Sequence, residues 1–236
     1  MKTLTFFLPA LLLAHSSLSA QNISAYFDSD IPASAGGWGI SAQRNVTSLT
    51  DVNANLIFGG TGQTFCFSPH LGAPSLGSTI YYNVSTSPSL FTYIGGAERG
   101  EDMLYWLFDS YYDGYIVNET EFSDTERFDR HHAFQAALWE IQDDFDGLNL
   151  ASLSLDTGNY TKPTGYAGYT QGSAILQDLQ TAVIPLGYTS SRFDFVYLQS
   201  NGASQNQLLV LNAVPEPSGV FLFGVSGILC LLRRRR

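Results

Sequence analysis

Residues 123–147 read SDTERFDRHHAFQAALWEIQDDFDG, and the fold turns on how this stretch is read. Ser123 followed three residues later by Glu126 is the capping-box pattern that opens a helix. Phe134, Leu138, Ile141 and Phe145 recur at helical spacing and predict an apolar stripe. Gly147 is a natural stop. A second face of the same helix carries His131, Gln135 and Trp139 at i, i+4 and i+8.

Working outward, residues 98–114 read ERGEDMLYWLFDSYYDG. Met103, Leu104, Leu107, Phe108 and Tyr111 again have helical spacing, so a helix ending near Gly114 is predicted. A weaker third helix is expected from Ser173 to Val183. Residues 21–95 instead show short apolar runs between Gly, Pro, Ser and Asn, the pattern of strands and turns. From residue 188 onward that alternation returns, in Phe193, Phe195 and Tyr197 and then Leu208 to Leu211. The order β, α, β predicts an α+β fold, rich in strands with a helical segment inserted.

Within the strand region lies TFCFSPH, residues 64–70. On a strand Phe65 and Phe67 share one face, and Cys66 faces the other way with Thr64. The chain has two cysteines, Cys66 and Cys230. Cys230 sits in an apolar run near the C-terminus, so Cys66 lacks an obvious disulfide partner.

The two ends read as targeting segments. MKTLTFFLPALLLAHSSLSAQ has Lys2, an apolar stretch and small residues before Ala20, the pattern of a signal peptide cut by signal peptidase after Ala20. At the other end Ser218 to Leu232 carries no charge. As a helix it spans about 22 Å, short against a hydrocarbon core of about 30 Å. The expected organisation is a signal peptide (1–20), an ectodomain (21–212) and a sorting tail (213–236) with a membrane helix at 218–232. That tail carries Pro215, Glu216 and Pro217, then the apolar run, then Arg233, Arg234, Arg235 and Arg236. It resembles the PEP-CTERM sorting signal of Gram-negative bacteria. The resemblance implies recognition by an exosortase, a membrane anchor before processing, and a final place at the cell surface or in the extracellular matrix.

The charge balance fits export. The chain has 21 Asp and Glu against 11 Lys and Arg, for a formal net charge of −10. Lys2 and the four terminal arginines account for much of the basic side, so the ectodomain is strongly acidic. Such a surface repels nucleic acid and anionic lipid. Sequons at Asn22, Asn45, Asn83, Asn118 and Asn159 follow from a surface rich in Asn, Ser and Thr. No metal is expected: His70, His131 and His132 match no zinc spacing, and no D-x-D-x-D-G calcium loop occurs. A serine hydrolase finds no G-x-S-x-G.

Read from its residues alone, Gln135 is an amide that hydrogen-bonds a neighbouring loop. A resemblance gives it a second reading. Phe65-Cys66-Phe67, followed by Phe134-Gln135-Ala136-Ala137-Leu138-Trp139, is similar to the Cys and Gln motifs of bacterial thioester domains of the TQXA type, with Phe134 where Thr often stands. The resemblance implies a thioester between Cys66 and Gln135, open to an amine or hydroxyl of a surface protein or polysaccharide. Trp139 would exclude water; His131 or His132 would act as a base, or else lie at the helix surface as ordinary polar groups. No cofactor is implied, and no enzyme either: capture is a single event, and the chain is itself a substrate of the exosortase. The competing expectation is a non-reactive structural or carbohydrate-binding envelope protein of the same fold.

Overall fold

The computed structural model describes residues 22–31, 43–50, 56–72, 77–85, 97–117, 122–147, 149–200 and 204–212. The expected signal peptide, the sorting tail and Cys230 lie outside the described residues. Among the described residues no helix is long and apolar enough to cross a membrane.

Among the described residues, six strands and three α-helices carry the fold. The strands are β1 (Asn22–Ile31), β2 (Gln43–Thr50), β3 (Leu56–Cys66), β4 (Ser78–Ser85), β5 (Phe193–Ser200) and β6 (Gln207–Asn212); the helices are α1 (Ala97–Tyr112), α2 (Asp124–Asp143) and α3 (Tyr169–Thr181). The strands close into an antiparallel barrel in the order β1-β2-β3-β6-β5-β4. All three helices fall between β4 and β5, so the mixed architecture with an inserted helical segment holds. Barrel closure is the added finding. It needs β6 to pair with β3 across most of the chain, as in Phe65 opposite Leu208 and Cys66 opposite Gln207.

Alternation along these strands divides the core. Phe65 and Leu208, with Phe193 and Tyr197 of β5, join the helices in one large apolar cluster. Phe65 meets Phe108 of α1 at 5.2 Å and Phe134 of α2 at 5.4 Å between ring centroids. Tyr82, Leu198 and Leu209, on the other face, form a second, smaller cluster.

Helix α2 begins as its residues predict: the Ser123 side chain accepts from the Glu126 N–H, and the Glu126 carboxylate accepts from the Ser123 N–H. Its later turns are buried all round, from His131 to Asp143. The polar stripe is therefore buried as fully as the apolar one. A helix covered on every side presents no amphipathic contrast over that span. The surface reading of His131 and His132 is corrected here, for they are 1% and 6% exposed.

One further expectation shifts. Helix α3 starts at Tyr169 rather than Ser173 and ends at Thr181 rather than Val183. Gly168, at φ 72°, turns the chain into it, and Gly172 then lies within the helix. At the acidic end of α2, Asp143 and Asp144 are buried and Asp146 is exposed. Asp144 points into the following segment, where its carboxylate accepts from the N–H groups of Asn159 at 2.6 Å and Tyr160 at 2.8 Å.

Candidate functional site around Cys66 and Gln135

Cys66 ends β3 and Gln135 lies midway along α2. The two are 69 residues apart, and the fold brings them into contact. The Gln135 Nε2 donates to the main-chain carbonyl of Cys66 at 2.7 Å. Both residues are buried, at 2% and 1% exposure. Gln135 Oε1 has no hydrogen-bond partner among the described residues. An unmatched buried amide oxygen costs about 1–3 kcal/mol, and a group left in that state is a place to look for chemistry.

The sulfur itself has another glutamine beside it. Gln207, opposite Cys66 in the β3–β6 register, places its Nε2 3.7 Å from Cys66 Sγ. The strand ends are held beyond this pair: Phe67 N–H donates to the Asn206 carbonyl at 2.8 Å and Gln205 N–H to the Gly72 carbonyl at 2.9 Å. His70, in the loop after β3, meets Asp143 of α2 at 2.8 Å and ties that loop to the helix carrying Gln135.

One turn beyond Gln135, Trp139 is buried with its indole N–H unpaired among the described residues. Tyr160 packs edge-on against it at 5.1 Å. The segment bearing Tyr160 is pinned to α2 through Asp144 and through Glu140, whose Oε2 accepts from the Ser154 N–H at 2.9 Å. Burial pushes the Glu140 carboxyl up to about 9, with Asp144 and Asp143 adding to the rise against the opposing Ser154 hydrogen bond. Glu140 is thus a neutral acid at neutral pH.

His132 is held neutral as well. Burial first, then Lys162 and His131, push it down to about 4. Burial lowers Lys162 to about 8, partly opposed by Asp129. His70, which the sequence raised only as a metal ligand, stands on the Cys66 loop and meets Asp143. Among the described residues no three His, Cys, Asp or Glu side chains converge as metal ligands.

Gln207, Glu140 and the His70–Asp143 pair were not foreseen as parts of this neighbourhood. Glu140 alone left a signal, a carboxylate inside the apolar run Ala137-Leu138-Trp139-Glu140-Ile141. Gln207 left none, because its place depends on a strand pairing 141 residues apart.

The comparisons with known proteins bear first on the class. Residues 213–236 match the PEP-CTERM protein-sorting motif, which implies an exported protein sorted by an exosortase in a Gram-negative-type bacterium. No curated protein matches the chain. Among solved structures, the N-terminal thioester domain of fibronectin-binding protein SfbI from Streptococcus pyogenes is similar at 14% identity and a TM-score of 0.44, over 83% of this chain and 95% of that one.

Proposed function

We propose that the protein is a sorted surface or matrix component in which Cys66 and Gln135 condense to an internal thioester. In this reading residues 1–20 are removed on export, residues 21–212 form the exposed domain, and residues 213–236 hold the chain in the membrane until an exosortase processes it. The hydrogen bond between Gln135 Nε2 and the Cys66 carbonyl carries the reading, since it joins the two motif residues in a buried site.

The chemistry balances simply. Cys66 sulfur attacks the Gln135 side-chain carbonyl, the C–N bond breaks, and the thiol proton leaves with the nitrogen as ammonia. The Gln135 amide must first turn from the main-chain carbonyl toward the sulfur. Close, oriented contact is what makes an otherwise inert amide react. A partner amine or hydroxyl then bonds to the same carbonyl carbon, the C–S bond breaks, and the nucleophile's proton returns to sulfur. Trp139 and Tyr160 would keep water from this acyl group. No turnover follows, so the protein is a single-use binder rather than an enzyme.

Intact mass tests this. The purified wild-type chain should be lighter than its sequence by one ammonia, and Cys66→Ala should show no deficit. Methylamine should add to Gln135 and free the thiol. A full-mass wild type would instead support the non-reactive structural reading, which the deep burial of both residues also favours.

A further inference from the structure

The Cys66 sulfur and the Gln207 amide are set against each other by the barrel itself. Their strands are in direct register. Gln207 is fully buried, its Nε2 lies 3.7 Å from Sγ, and its Oε1 has no hydrogen-bond partner among the described residues. Residues directly opposite on antiparallel strands project to the same face. The amide is therefore held at the sulfur by backbone pairing, with the Phe67–Asn206 hydrogen bond closing the ladder just beyond.

We propose that Gln207 is the positioning residue that sets the reactivity of the Cys66 sulfur, donating an amide N–H to it as a thiolate. The inference rests on the thioester reading for its purpose but not for its test. Burial by itself disfavours a thiolate, and a hydrogen bond to the charged form favours it. The sulfur carries negative charge twice in the proposed chemistry: as the thiolate that goes on to attack Gln135, and as the leaving group when a nucleophile displaces it. Gln207 donates at both moments and is itself unchanged. Among the described residues, His70 lies on the loop after Cys66, and α2 carries His131, His132, Glu140 and Asp143 buried. Gln207 is the neutral donor on β6.

The test uses the full chain with Cys230→Ser, so that Cys66 is the lone cysteine, labelled with carbon-13 at Cβ. In a Gln135→Ala background the Cys66–Gln135 thioester cannot form, and the Cβ shift against pH reports the thiol pKa. Gln207→Leu should raise that pKa by about one unit. Gln207→Glu, of the same shape but with an acceptor and a charge, should raise it further. A purely structural role would alter thermal unfolding without this ordering. With Gln135 intact, methylamine capture should slow about tenfold in Gln207→Leu. An unmoved thiol pKa in both folded variants overturns the proposal even where the wild type shows its ammonia deficit. A shifted pKa with a full-mass wild type upholds the donor role and removes the thioester. An ammonia deficit mapped by fragmentation to Gln207 overturns the proposal, since Gln207 would then be the acyl partner.

Discussion

Glu140 and His132 lie two helical turns apart on α2, and each is buried in its neutral form. Their effects on stability run in opposite directions with pH. Glu140 binds its proton more tightly folded than unfolded, so its contribution is complete below about 4.5 and is lost as pH rises toward about 9. His132 binds its proton less tightly when folded, so its contribution is complete above about 6.5 and is lost as pH falls toward about 4. Between those ordinary values the two slopes offset each other, and above them Glu140 dominates until Lys162 acts. Lys162, lowered to about 8, weakens the fold below that pH relative to 10.5. Replacing Glu140 by Gln removes the penalty of keeping an acid protonated. The expected gain is about 3 kcal/mol at pH 7 and almost nothing at pH 4.5. Urea unfolding at the two pH values measures it, and an equal change at both would show that Glu140 ionises freely.

At the scale of elements, α3 reaches α2 through glycine. A Cβ on Gly168 would stand 2.3 Å from the Asp129 carbonyl oxygen and 2.6 Å from the Ala133 nitrogen, both backbone atoms of α2. Its φ of 72° is itself unfavourable to any side chain. Gly172, one turn on, lies 3.5 Å by the same measure from Ala133 Cα. Small residues at Gly168, Gly172 and Ala133 thus let the two helices meet closely. Gly168→Ala should lower stability by about 2–4 kcal/mol. Gly114→Ala, where an added Cβ meets nothing within 4 Å, should leave stability within about 0.5 kcal/mol. Thermal unfolding of the two variants side by side gives the comparison; an unaffected Gly168→Ala would mean that α3 does not dock on α2 in this way. Sequence spacing located α1 and α2 because caps and apolar repeats are local. It misplaced the start of α3 because Gly168 and Gly172 look like breaks, while their reason for being glycine is contact with Asp129 and Ala133 of α2, 35 or more residues earlier in the chain.

For the whole molecule, the same distinction between local and distant causes separates the tail from the domain. The tail was legible because a sorting signal is a linear string: Pro215-Glu216-Pro217, an uncharged run and four arginines are read in order, and residues 213–236 match that motif. Barrel closure was hidden because it depends on β3 finding β6 and β1 finding β4. The Cys66–Gln135 neighbourhood lay between these cases. Its two motif residues could be named, but not the Gln207 amide at the sulfur. Sorting reads a linear string, whereas the Cys66–Gln135 contact is made by β3 meeting α2, so the two parts should fail separately. Replacing Arg233 to Arg236 by Gln should leave unprocessed chain in the membrane fraction of an exosortase-bearing host, because nothing then marks the cytoplasmic end of the apolar run. The mass deficit and thermal unfolding of that retained protein should match wild type. Conversely, Cys66→Ala should be processed normally while losing the deficit. Fractionation with intact-mass analysis of both variants measures this, and a tail variant that also lost the ammonia deficit would mean that the site is completed only after sorting.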